Sequence, residues 1–156
     1  MLDGMAPRFR RARAQDADAA RALIVRSMAH WPHTPEYLAE AADLMSLDAA
    51  EIERDEAWVL EDEGSIIGFY RVSIEGSRGE IEELHLEPAV IGRGFGRAMF
   101  EHCVTRAKVR GVRHLVWSCD DNALGFYLTL GGQVVGTQPS GIAGDEPLTL
   151  MELRLD

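Results

Sequence analysis

Gly92, Gly94 and Gly96 stand at alternate positions between a strand-like run, Glu80 to Pro88, and an amphipathic helical pattern that continues to Arg110. Glycine lets a backbone turn tightly and approach a ligand with no Cβ in the way. A helix opening at such a turn presents free N–H groups and the positive end of its dipole. Together these form a site for an anion, most simply a phosphate, and Arg93 and Arg97 lie beside it. The preceding strand carries Glu80, Glu82, Glu83, His85 and Glu87, residue types suited to proton transfer. Strict alternation puts Glu80, Glu82, Leu84 and Leu86 on one face and Ile81, Glu83, His85 and Glu87 on the other. His85 has the intrinsic pKa best matched to a general base, but this alternation turns it away from Glu80 and Glu82. A bulge would re-phase the pattern, and nothing in the sequence marks one.

The glycine spacing excludes two common phosphate binders. A dinucleotide-binding fingerprint needs a third glycine where Met99 stands. A P-loop needs Lys-Ser/Thr where Arg97 and Ala98 follow Gly96. The run Ile91-Gly92-Arg93-Gly94-Phe95-Gly96 resembles the pyrophosphate loop of the GNAT superfamily of N-acetyltransferases, Q/R-x-x-G-x-G/A, with Ile91 in place of Gln or Arg. Further on, DDNALGFYLTLGG resembles the second signature of that superfamily. Ala123, Phe126, Tyr127 and Gly131 match it, Asp120 holds a position often occupied by Asn, and Gly132 replaces the usual aromatic. The two signatures span about Glu80 to Gly132.

The resemblance implies an α/β (α+β) fold: a mixed, mostly antiparallel, splayed central sheet of about seven strands with helices on both faces. It implies acetyl-CoA as co-substrate, no metal, and direct transfer of the acetyl group to a primary amine in a ternary complex. Leu84, His85 and Leu86 would pair with the pantetheine arm like an added strand. Ile91, Gly92, Arg93, Gly94, Phe95, Gly96 and Arg97 would surround the pyrophosphate, with Asn122 and Phe126 as further cofactor contacts. Tyr127 would be the general acid toward the CoA sulfur, and Glu82 and Glu80 the candidate bases, acting directly or through water. Trp31, His33 and Tyr37 would line the acceptor pocket, and the last strands would pair two copies. Other readings remain open at this point. They are a catalytically weak acyl-CoA sensor or interaction domain, a different nucleotide binder, and a glycine turn without a ligand.

Composition sets outer bounds. The chain has 156 residues, a net charge of −10 and a pI near 4.9, which argues against non-specific nucleic-acid binding. Its length suggests one domain over residues 8–156 after a loose tail, Met1 to Pro7. Cys103 and Cys119 have no metal-ligand spacing and read as reduced residues of a cytoplasmic protein. No apolar run approaches the ~18 residues of a membrane span, and the N-terminus lacks the apolar core of a signal peptide. The element pattern opens with a strand from Arg8 to about Arg13 and a helix from Ala17 to about Ala29 capped by Asp16. A helix from Pro35 and a short one from Leu47 to Arg54 follow. Next come strands at 57–60 and 65–72, the central strand from Glu80, the helix ending at Gly111, and a buried strand 114–119. A helix capped by Asp120 or Asp121, strands 133–136 and 148–153, and a loop from Pro139 to Glu146 complete it. His30 and His33, bounded by Pro32 and Pro35, suggest surface residues or a metal, but no third ligand stands at a convincing spacing.

Overall fold

The fold is taken from a computed structural model, which describes residues 6–44, 47–141 and 146–156. Seven strands form one sheet in the order β1-β2-β3-β4-β5-β7-β6. They are β1 (Arg8–Arg11), β2 (Glu56–Asp62), β3 (Ser65–Glu75), β4 (Arg78–Leu86), β5 (His114–Cys119), β6 (Gln133–Gln138) and β7 (Leu148–Arg154). Neighbours are antiparallel except β4 and β5, whose parallel pairing joins only Arg78–Glu80 to His114–Val116. A parallel pair needs a crossover, and α4 (Phe95–Val109) provides it.

Helices cover both faces. On one, α4 and α5 (Asp121–Thr129) bring Met99, Phe100, Cys103 and Tyr127 against Tyr70, Val72, Leu115, Trp117 and Met151. On the other, α1 (Ala17–Ala29) and α3 (Ala49–Arg54) set Ala20, Ile24 and Ile52 against Ala57, Val59 and Phe69. The helix α2 (Pro35–Leu44) extends beyond α1 and begins at the proline expected to open it.

Local chemistry explains the boundaries that moved. The first strand stops at Arg11, and a short 3-10 turn, Ala14–Asp16, follows. Asp16 does not cap α1: its carboxylate accepts from the Arg13 N–H at 2.7 Å and from the Arg10 guanidinium at 2.9 and 3.0 Å. A bidentate arginine is the stronger claim on that carboxylate. The third helix starts at Ala49 rather than Leu47, because Asp48 and Glu51 form a reciprocal capping box at 2.8 and 3.0 Å. β4 opens at Arg78, before Gly79, and β2 and β3 run further than their apolar centres suggested. Of the expected tail and the 139–146 loop, residues 1–5 and 142–145 lie outside the described residues.

Gly132, where the second signature usually has an aromatic, is explained by its neighbour on β5. A Cβ there would lie 2.8 Å from the Trp117 ring, 3.0 Å from Met151 and 3.1 Å from the Tyr127 carbonyl. Trp117, 2% exposed and edge-on to Phe100, occupies the space that an aromatic at 132 would need.

The arginines of β1 do more than face solvent. Glu56, with a fully buried side chain, accepts from Arg11 (2.9 Å), Arg106 (2.9 Å), Arg110 (2.8 Å) and Trp58 Nε1 (2.6 Å). Burial alone would raise its pKa. The hydrogen bonds from Trp58, Arg106 and Arg110, with the charge of Arg11, overcome that and hold it at about 2, below the ordinary 4.5.

Two tests follow from this packing. Gly132→Ala is expected to destabilise the fold by about 1–3 kcal/mol through overpacking; an unchanged urea midpoint would show that Trp117 yields freely. The depressed pKa of Glu56 adds stability that is present above about 4.5 and lost as pH falls toward about 2. Urea melts across that window should fall with acid in the wild type and less steeply in Glu56→Gln. Parallel slopes would remove Glu56 from the acid linkage.

Candidate active site

β4 and β5 part immediately after the pair Glu80–Val116. From there Ile81–Leu86 and Trp117–Cys119 present their facing edges with no strand between them among the described residues. Such a gap leaves backbone donors and acceptors for an extended ligand. At its mouth the chain after β4 passes through the glycine turn. Gly92 and Gly94 have φ of +87° and +86°, in the left-handed region that favours glycine. Gly96 lies in the first turn of α4, where a Cβ would meet Phe126 at 3.2 Å and Leu86 at 3.7 Å. The N-terminus of α4 has no side-chain cap, whereas Asp120 caps α5 by accepting from the Ala123 N–H at 3.2 Å. The α4 terminus therefore keeps free N–H groups for an anion. Arg93 packs over the Phe95 ring at 5.2 Å, Arg97 reaches Glu101 at 3.4 Å, and Ile91 is half-buried.

The register of β4 overturns the expected alternation. Arg71 pairs with Glu83 and the next residue, Val72, with Ile81, so Glu82 is an extra residue in a bulge. Glu80, Glu83 and His85 now stand opposite Ser73, Arg71 and Phe69 on the α1 face, while Ile81, Leu84 and Leu86 take the α4 face with Val72, Tyr70 and Gly68. Glu80 and Glu82 thus do not share a face with Leu84 and Leu86, and His85 joins the Glu80 side. The bulge brings Glu82 to Ser73, whose hydroxyl donates to it at 2.7 Å.

The acidic run divides by partner. Glu83 receives both arms of Arg71, at 2.7 and 2.8 Å, and Arg71 also binds Asp55 at 2.6 Å. Glu87 takes Arg26 of α1 in the same bidentate way, at 2.8 and 2.8 Å. Glu80 is 42% exposed, 3.6 Å from Arg78, and lines a polar cleft with Ser73, Asp55 and Glu75. Glu82 is exposed, and among the described residues only the Ser73 hydroxyl hydrogen-bonds to it. His85 shares a proton with Ser27 Oγ at 3.2 Å, and burial holds its pKa at about 4. It is therefore neutral at pH 7 and a weaker base than its type suggested. Neither Ser27 nor Ser73 carries a sequence signal, because each partnership depends on register and helix docking.

Tyr127 lies buried between Trp117, Phe126 and Phe100, with ring centroids 5.2, 5.0 and 5.8 Å away. Its hydroxyl has no hydrogen-bond partner among the described residues. Burial raises its pKa, so it keeps its proton. Phe126 packs beside the glycine turn, and Asn122 is exposed in the first turn of α5. Of the arm residues, His33 stacks on Tyr37 at 4.2 Å and comes within 3.8 Å of Asp120, whereas Trp31 is 37% exposed and meets His30 edge-on. Among the described residues no cluster of three or more His, Cys, Asp or Glu could hold a metal ion, and no helix is long and apolar enough to cross a membrane.

Comparison with known proteins agrees with this geometry. The model of the acetyltransferase (GNAT) family matches residues 19–131. No curated protein sequence matches the chain. Among solved structures, a GCN5-related N-acetyltransferase from Rhodopseudomonas palustris superposes with a TM-score of 0.81 at 23% identity, covering 99% of each chain. The PaiA N-acetyltransferase of Thermoplasma acidophilum, solved with coenzyme A, gives 0.80 at 16% identity over 97% of this chain and 100% of its own. The ribosomal-protein-S18-alanine N-acetyltransferase of Escherichia coli gives 0.73 at 20% identity over 96% and 94%. The split sheet, the glycine turn at its mouth and the family match together show that this chain belongs to the GNAT family of acetyltransferases.

Proposed function

We propose that residues 8–156 act as one domain that transfers the acetyl group of acetyl-CoA directly to a primary amine while both substrates are bound. The observation that carries this reading is the three-residue parallel junction, which leaves two strand edges facing a gap with the uncapped start of α4 at its mouth. The residues present fit the cofactor. Backbone groups of Leu84, His85 and Leu86 would pair with the pantetheine arm. The N–H groups from Gly92 to Arg97 would receive the pyrophosphate, with Arg93 at hand and Phe126 and Asn122 on the α5 side. Acetyl-CoA supplies the acetyl group as a thioester already activated toward an amine.

The protein's own part is proton management and positioning. A lysine-like amine with pKa about 10.4 is only ~0.1% neutral at pH 7.4, whereas an α-amine near 7.7–8.0 is roughly a fifth to a third neutral. The first class needs a base. Glu80 at the point where the strands part, and Glu82 beside it in the bulge, are the carboxylates not held by an arginine pair like those of Glu83 and Glu87. They would take the proton directly or through water. Tyr127, protonated and without a hydrogen-bond partner among the described residues, would donate its hydroxyl proton to the departing sulfur. His33 and Tyr37, with Trp31 beside them, would bound the acceptor. A second copy would pair along the free edge of β6, where Val134 and Val135 are 52% and 54% exposed.

The test is release of free CoA thiol across a panel of amines, with calorimetric binding of acetyl-CoA alongside. Tyr127→Phe should lower kcat by about 10²-fold while acetyl-CoA affinity changes little. Glu80→Gln or Glu82→Gln should lower kcat most for the amines of highest pKa. Full turnover in Tyr127→Phe would remove it as the acid. Binding without turnover of any amine by the wild type would favour a sensor over an enzyme.

A further inference from the structure

One side-chain contact joins the arm between α1 and α2 to the far wall of the split. His33 Nε2 lies 3.8 Å from Asp120 Oδ2, too long for a hydrogen bond and an ion pair only when the imidazole carries a proton. Although His33 belongs to a proline-bounded loop, its side chain is only 13% exposed, and its ring lies on Tyr37 at 10°. The other oxygen of Asp120, Oδ1, accepts from Ala123 and so caps the helix that carries Tyr127. At its other end the arm is rooted on β4, through the Arg26–Glu87 pair and the Ser27–His85 contact. The arm therefore starts where α1 meets the end of β4 and reaches Asp120, the residue after β5. An asparagine at 120, common in the signature this chain resembles, would keep the helix cap without the charge. The carboxylate thus does something the cap alone does not require.

We propose that Asp120 is a positioning residue for the acceptor: by holding His33 it docks the 30–37 arm across the split and completes the acceptor side of the site. The proposal rests on the acetyltransferase reading above. One carboxylate thereby ties together the arm that bounds the amine and the helix that presents the acid, so the two move as a unit. Asp120 acts through His33 and the α5 cap, with Asp121 and Glu36 as the nearest charged neighbours in sequence on the two segments.

The experiment compares the wild type, Asp120→Asn, His33→Ala and the double variant. It reads amide hydrogen exchange over residues 30–38, KM and kcat for the fastest amine of the panel, and acetyl-CoA binding by calorimetry. Asp120→Asn should speed exchange in the arm and leave α5 protected. It should raise the amine KM about two- to fivefold, the size of a partly exposed pair contact, with the effect on KM rather than kcat. The double variant should be no worse than the worse single one. Unchanged arm exchange overturns the proposal; combined with a raised KM it would mean that Asp120 touches the amine itself. Additive effects of the two substitutions overturn it as well. A wild type that binds acetyl-CoA and acetylates nothing overturns the enzyme reading instead, and the exchange data still decide the contact.

Discussion

The sheet has a single parallel junction, and that junction is three residues long. The parting of β4 from β5 governs the rest of the structure. A buried backbone group left unpaired costs about 1–3 kcal/mol, so two facing unpaired edges persist only where water or a ligand can satisfy them. Both strands end at the same mouth, and each is followed by a helix: α4 after the glycine turn, α5 after Asp120. Two positive helix ends thus open side by side. Asp120 neutralises one with its own carboxylate, while Gly94 leaves the other bare. This asymmetry gives an anion one address at the mouth of the gap in a protein whose net charge is −10.

The same protein must keep carboxylates available for proton transfer without letting them repel one another. It does so by assigning arginines. Arg71, almost buried, binds Glu83 and Asp55 and ties β3 to β4 and the end of α3. Arg26 takes Glu87 and fastens α1 to the end of β4. Arg11, Arg106 and Arg110 converge on Glu56 and join β1, β2 and α4. What remains of the acidic run is Glu80 and Glu82, at the vertex of the split. Burial works in the opposite sense on the other titratable groups. It keeps the His85 imidazole neutral and the Tyr127 phenol protonated. Environment, more than residue type, separates base candidates from acid candidates.

Much of the site was legible in sequence because it depends on local backbone chemistry. Positive φ at Gly92 and Gly94, the cap by Asp120 and the left-handed Gly111 just past the end of α4 follow from short-range preferences. The mixed sheet, by contrast, was what the resemblance of the two signatures implied. The error lay in phasing. Alternation assumes one residue per step, and the bulge at Glu82 adds one, so every residue N-terminal to it changes face relative to those after it. Asp16 was misread for a related reason: it has a good cap sequence, but its partner is an arginine six residues earlier that folding brings within 3 Å. Gly132 departs from the signature because Trp117, distant in sequence, fills the space beside it.

The sequence by itself determined the glycine turn at 92–96, the Asp120 cap and the pair of signatures, since these are set by residues within a few positions of one another. Tertiary structure decided which carboxylates an arginine holds bidentately, which face His85 occupies, where the sheet parts, and that the His33 loop meets Asp120. Those facts depend on strand register and on contacts between residues far apart in the chain. The physical reason is that a one-residue shift in register costs little locally, yet it reverses the side of the sheet on which every later side chain stands.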